Sequence, residues 1–225
     1  MKNKVLLPAK TRELNQSQLS KIFTIWQQKN PQPKTELTYP NNYCLLIAIV
    51  LSAQSTDIAV NKATKNLFAI ADDAKKMIAL GEDNLKKYIK NIGLYNGKAH
   101  NIIKLSQSLI DNFEGEPPNN FDKLFSLAGV GRKTAGVFLN CAFHYPIIAV
   151  DTHVFRVANR IGIIKEENIK KSETALNKKI KEPWKKDAHH WMILHGRYIC
   201  KARKALCLEC KISDYCNYYK NISAT

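Results

Sequence analysis

Three observations predict an all-α fold. Apolar residues recur at spacings of three and four through much of the chain, as in Leu105, Leu109, Ile110 and Phe113 following Ile102 and Ile103. Clusters of Gly, Pro and Asn at 81, 93–97, 117–120 and 129–131 punctuate these stretches. Only 145–150 passes for a strand, and one strand makes no sheet. Helices are expected at 13–29, 42–54, 57–71, 83–91, 98–113, 132–143, 151–162, 172–181 and 187–200. The second contains the longest apolar run, nine residues over 43–51. A membrane-spanning helix needs roughly 18 or more, so this one is expected to be buried in protein. The third opens at Thr56-Asp57, a good N-cap pair. The fifth carries the periodic face just described. The sixth starts directly behind a glycine turn, and the seventh at Asp151, which is well placed to cap it.

The chain of 225 residues carries 35 Lys+Arg against 19 Asp+Glu, a net charge of +16. The first 130 residues have a net of +6 and the remaining 95 a net of +10, so the excess lies toward the C-terminal part. A polyanion such as nucleic acid is the commonest partner for that balance, although a Lys-rich surface also serves solubility alone. The first residues hold no sustained apolar stretch or small-residue cleavage site, so no secretory signal is read and the protein is expected in the cytoplasm, away from membranes.

Six cysteines in such a chain argue against a disulfide scaffold. Cys44 and Cys141 stand among apolar residues and read as core fillers. Cys200, Cys207, Cys210 and Cys216 form C-x6-C-x2-C-x5-C. Thiolates this close in sequence can converge on one centre with little loop-closure cost. Four Cys ligands suit zinc or an iron–sulfur cluster. The lone C-x2-C knuckle tilts toward the cluster, since four-cysteine zinc sites usually pair two knuckles. Lys201, Arg203 and Lys204 sit between the first two cysteines. Their charges either offset that of a thiolate-bound cluster or meet phosphates.

The segment 127–135, Leu-Ala-Gly-Val-Gly-Arg-Lys-Thr-Ala, sets a tight glycine hairpin before a helix. Glycines allow close approach of backbone to phosphate, and the N–H groups that follow point outward at the positive end of the helix dipole. Arg132 breaks the match to a Walker A loop. Lys133 falls in the first helical turn, where the dipole favours the neutral amine, as partial burial also would. A neutral amine can form a Schiff base, whereas a plain solvated lysine is the commoner case. Asp151 heads Val-Asp-Thr-His at 150–153. An ionised carboxylate there either caps the helix or also stabilises developing positive charge beside a sugar.

Together these segments resemble the endonuclease III family of bacterial helix–hairpin–helix DNA glycosylases. So do Leu-Ser-Ala-Gln-Ser-Thr-Asp at 51–57, Ile-Gly-Leu-Tyr-Asn-Gly-Lys-Ala at 92–99 and His-Trp-Met-Ile-Leu-His-Gly-Arg at 190–197. The likeness spans about 13–220 in the family's order and spacing. It implies two all-α lobes with a DNA-binding cleft between them. One would be a helical barrel over 36–145; the other would join 13–35 to 146–225 and carry one [4Fe–4S] cluster on Cys200, Cys207, Cys210 and Cys216. It further implies Lys133 as the nucleophile and Asp151 as the catalytic carboxylate. Gln54 and Leu94 would fill the gap left by a flipped nucleotide, and the Gly129-Val130-Gly131 backbone would bind phosphate. Substrates would be oxidised, ring-saturated or fragmented pyrimidines and abasic sites in double-stranded DNA, processed by a monomer that excises the base and then cleaves by β-elimination. Two departures stand out. Ala128 replaces the family's usual proline, and residues 1–12 form a basic extension ahead of the matched region.

Rival readings are an adenine-mismatch glycosylase, a non-catalytic cluster-bearing DNA-binding module, and a metal-dependent nuclease. Lys133 and the short chain after Cys216 count against the first. The joint presence of Lys133 and Asp151 counts against the second. No clustered Asp/Glu set suits the third. His189 and His190 lack the i, i+4 spacing of a helical zinc site, and Trp191 is expected in the core. His153 reads equally as a DNA contact or a helix-start residue, and Trp26 and Trp184 make no clear stacking platform.

Overall fold

The computed structural model describes residues 12–223, so the basic extension expected at 1–12 lies, apart from Arg12, outside the described residues. Every regular element in that range is helical. In chain order they are α1 (Gln16–Lys29), α2 (Asn42–Ser52), α3 (Asp57–Phe68), α4 (Ala74–Leu80), α5 (Glu82–Ile89), α6 (Tyr95–Phe113), α7 (Phe121–Phe125), α8 (Arg132–Phe143), α9 (Thr152–Ile161), α10 (Ile169–Lys179), α11 (Lys185–Tyr198) and α12 (Asn217–Ile222). Two 3₁₀ turns, Cys207–Glu209 and Ser213–Tyr215, precede α12. Short polar side chains set most helix starts. Asn15, Asn41, Thr56, Asp73, Asn120, Asp151 and Asn168 each accept a hydrogen bond from an N–H in the first turn.

The chain divides into two compact units, one continuous (Thr35–Tyr145) and one assembled from Met1–Lys34 and Pro146–Thr225. In the continuous unit, α2 buries every residue from Tyr43 to Leu51. A helix that is apolar all round can only be central, and α3, α6 and α8 pack against it. Around α6, α4 and α5 close the other side. In the two-part unit, α1 contributes Leu19, Ile22, Phe23 and Trp26 to a core shared with Val154 and Val157 of α9, Leu176 of α10, and Trp191 and Met192 of α11. The Trp191 indole N–H donates to the Asn30 carbonyl at 2.9 Å. At Gly196, α11 presses closely on α9: an added Cβ would come within 3.0 Å of the His153 Cβ. Gly162 ends α9 in the left-handed region (φ 95°), where a side chain would strike Asn217.

The strand-like segment at 145–150 is extended chain without a ladder partner among the described residues. Ile148 is held instead by the Asn177 side chain, which accepts from its N–H at 3.0 Å and donates to its carbonyl at 2.9 Å. Three helices were not expected from the sequence: α4, α7 and α12. They run seven, five and six residues, too short to display a periodic face.

Candidate active site and cysteine-lined cavity

In the continuous unit, the glycine hairpin links α7 to α8. The Val130 N–H donates to the Leu127 carbonyl at 3.1 Å, closing the turn. Gly129 has φ 76°, and an added Cβ would lie 2.9 Å from the Asn101 Cβ. Its position therefore demands glycine twice, by backbone sign and by space. Gly131 is the N-cap of α8 and offers no side-chain cap, so the first amides of the helix are not covered by their own cap residue. Lys133 lies in the first turn of α8 and is exposed, so the partial burial entertained for it is absent. Its neighbour Arg132 stacks over the Phe121 ring at 5.4 Å.

The same unit brings Gln54 and Leu94 into adjoining loops, one after α2 and the other before α6. The Gln54 carbonyl lies 3.5 Å from where a Cβ on Gly93 would sit. Both residues are exposed, Leu94 by 68%, and both have left-handed backbones, φ 56° and 60°. A non-glycine residue in that region is uncommon and costs free energy. Below them Lys98 is buried, and its ammonium donates to the Leu51 carbonyl at 2.8 Å, the Ala53 carbonyl at 2.6 Å and the Ser55 hydroxyl at 3.4 Å. Burial lowers its pKa. Sequence reading gave Lys98 no role. The available signal was its place inside the 92–99 motif, four residues past Leu94.

In the two-part unit, Asp151 is half-buried and caps α9, accepting from the Val154 N–H at 2.8 Å. The expected cap is therefore present. Two residues on, His153 is partly buried, and that burial lowers its pKa against the raising effect of Asp151. Arg156 reaches from α9 to the Gly196 carbonyl at 2.9 Å and the Cys200 carbonyl at 3.0 Å. This guanidinium ties the helix capped by Asp151 to the start of the cysteine segment.

None of the four C-terminal cysteines is in a disulfide, and all four line one pocket together with Ile161, His195, Leu206 and Tyr218. Among the described residues, no three His, Cys, Asp or Glu side chains converge closely enough to hold a single metal ion. Burial raises the pKa of Cys207 and Cys210 and pushes the Cys216 thiol up to about 11. Backbone N–H groups work the other way: those of Tyr219 and Tyr218 hydrogen-bond Cys216, and that of Ile212 bonds Cys210. N–H groups aimed at sulfur, with the Arg160 guanidinium 3.6 Å from the Cys200 Sγ, suit thiolate sulfurs and hence a bound cationic centre. The all-cysteine donor set, with N–H groups and a guanidinium aimed at sulfur, fits an iron–sulfur cluster.

Arg160 also fixes the loop between the first two cysteines, donating to the carbonyls of Lys201 at 2.8 Å and Ala202 at 2.9 Å. The Leu206 N–H closes it onto the Ile199 carbonyl at 2.9 Å. Lys201, Arg203 and Lys204 are exposed on this anchored loop. Elsewhere Trp26, Trp191, His189 and His190 are buried. Cys44 is buried and Cys141 half-buried, and burial raises both thiols to about 12. No helix of the described residues is long and apolar enough to cross a membrane.

Residues 47–186 match the HhH-GPD superfamily of base excision DNA repair proteins. Endonuclease III of Rickettsia conorii is 57% identical over 91% of this chain and 97% of its own length. Endonuclease III of Escherichia coli is 47% identical over 93% and 99%. Among solved structures, a trapped endonuclease III–DNA covalent intermediate superposes with a TM-score of 0.86 at 41% identity, covering 93% of this chain and 99% of that one. A non-covalent endonuclease III–DNA complex matches with the same TM-score and identity. At these identities over nearly the whole of both chains, the chain belongs to the endonuclease III family of base excision DNA repair proteins.

Proposed function

We propose that this chain excises oxidised or ring-damaged pyrimidines from double-stranded DNA and then cleaves the strand 3′ to the abasic site, with Lys133 as nucleophile and Asp151 as its carboxylate partner. The observation that carries the reading is the likeness to a relative caught covalently on DNA, at 41% identity over nearly the full chain. A covalent intermediate needs a nucleophile, and on the helix behind the glycine hairpin of this chain that group is the exposed amine of Lys133.

The steps follow from the residues. Backbone amides of Gly129–Gly131 and the start of α8 meet phosphate, fixing register without reading sequence. A weakly stacked nucleotide is turned out of the duplex at a cost of roughly a few kcal/mol, least for a damaged base. Gln54 and Leu94 occupy the space it leaves. The Lys133 amine attacks C1′ as the C1′–N bond to the base breaks, and Asp151 supports the positive charge that builds on the sugar. The C1′–O4′ bond of the sugar ring then opens, O4′ taking a proton, and the Schiff base so formed between Lys133 and C1′ acidifies the C2′ proton. Its loss expels the 3′ phosphate oxygen by β-elimination, and water releases Lys133.

Cys200, Cys207, Cys210 and Cys216 would hold a [4Fe–4S] cluster, which when bound would cross-link the 200–216 segment. The all-cysteine donor set around one cavity supports this. Purified protein is expected to be brown, and Cys216→Ser to lose that visible absorbance. A colourless wild type that contains zinc would refute the cluster.

The catalytic reading is tested by incubating the protein with a thymine-glycol duplex in EDTA and sodium borohydride. A covalent protein–DNA band is expected, absent in Lys133→Ala, which still binds the lesion duplex. A band that survives in Lys133→Ala would remove Lys133 from the chemistry.

A further inference from the structure

The placement of Lys98 goes beyond what α6 needs as a helix. A lysine is ordinarily among the most exposed residues, yet Lys98 is 7% exposed and all three acceptors of its ammonium belong to one five-residue stretch, 51–55. Leu51 lies in the last turn of α2 and Ala53 is its C-cap. Carbonyls there have no partner further along the helix and carry the negative end of its dipole, so a cation is the favoured ligand. The acceptors at 53 and 55 flank Gln54 on both sides. At its own base Lys98 is hydrogen-bonded to the other loop, its N–H donating to the Leu94 carbonyl at 3.1 Å. One residue therefore joins the two loops, its side chain holding the backbone around Gln54 and its main chain the turn that presents Leu94. Both of those residues are left-handed and exposed. Such conformations persist where the surroundings over-determine them, and the Lys98 hydrogen bonds supply that determination for 53–55.

We propose that Lys98 is a positioning residue: it fixes the backbone of Gln54 and its spacing from Leu94, so that the two side chains enter the gap of a flipped nucleotide as one rigid pair. This rests on the reading above that Gln54 and Leu94 fill that gap. An apolar residue at 98 could join α6 to α2 by packing, but it would leave the carbonyls of Leu51 and Ala53 without their donor, and the stretch around Gln54 free to change conformation.

The test compares borohydride trapping rates on the same abasic site in duplex and in single-stranded DNA. Only the duplex has a helical gap to fill. Lys98→Met is expected to slow trapping on the duplex by about tenfold or more, with the single-strand rate within about twofold of wild type, the scale set by a small misplacement of positioning groups. Lys98→Arg, which keeps a cationic donor, is expected to recover most of the duplex rate. Adding Lys98→Met to the pair Gln54→Ala/Leu94→Ala is expected to slow the duplex no further, since the side chains it positions are already gone. Equal losses on both substrates, additive losses in the triple variant, or no loss at all would overturn the proposal. If Lys98→Met does not fold, Lys98→Gln makes the same comparisons. Should the pair Gln54→Ala/Leu94→Ala leave duplex trapping unchanged, the gap-filling reading itself fails, whatever Lys98→Met does.

Discussion

Asp151 accepts the Val154 N–H at the start of α9 and also stands as the proposed carboxylate of the reaction. The two roles separate cleanly in one substitution. Asparagine caps helices about as well as aspartate does, so Asp151→Asn keeps the hydrogen bond and removes only the charge. The melting temperature is expected to stay within about 2 °C, while base excision falls by about a hundredfold or more. A near-normal rate at unchanged melting temperature would leave Asp151 as a cap and nothing else. The cap at Asp151, the place of Lys133 in the first turn of α8 and the glycine turn before it were legible because each sits in a local pattern whose geometry is set by its immediate neighbours. Lys98 was not. Its acceptors come from a different helix some 45 residues earlier in the chain, and no local pattern distinguishes a buried lysine from a solvated one.

At the scale of elements, the segment after α11 is built to be held still. Arg160 grips two successive carbonyls of the 200–206 loop and lies over the Tyr218 ring at 4.6 Å. The exposed cations on that loop are thus presented on an anchored backbone, which favours a phosphate contact over a merely diffuse charge. Reversing Lys201, Arg203 and Lys204 to glutamate is expected to weaken DNA binding and to lower the slope of log K against log salt by about 2–3, near 0.9 per lost phosphate contact. Unchanged affinity and slope would confine the three charges to offsetting that of the proposed cluster. Helix boundaries came through less fully than helix identities. Tyr95 begins α6 three residues ahead of expectation, because the left-handed Leu94, not the glycine at 97, is where the chain turns. Gly97 is tolerated inside the first turn on an exposed face.

For the molecule as a whole, composition and periodicity were enough to give an all-helical fold, and the paired motifs gave its family. Periodicity alone does not give the share-out of helices between the two units, for which only the family resemblance offers an expectation, since it depends on which apolar faces meet, and α1 shows why. Its buried stripe of Leu19, Ile22, Phe23 and Trp26 looks like that of any amphipathic helix, yet its partners Ile148, Val150, Val154 and Trp191 lie more than a hundred residues further on. The Leu14 N–H, bonded to the Gly162 carbonyl at 2.9 Å, is closed across a comparable span. On the ribosome this has a definite meaning. The whole of 35–145 can emerge and collapse around α2 as a contiguous piece. α1 must wait, its tryptophan and phenylalanine without native partners, until α9 and α11 have been translated, so the earliest-made helix among the described residues is among the last to be covered.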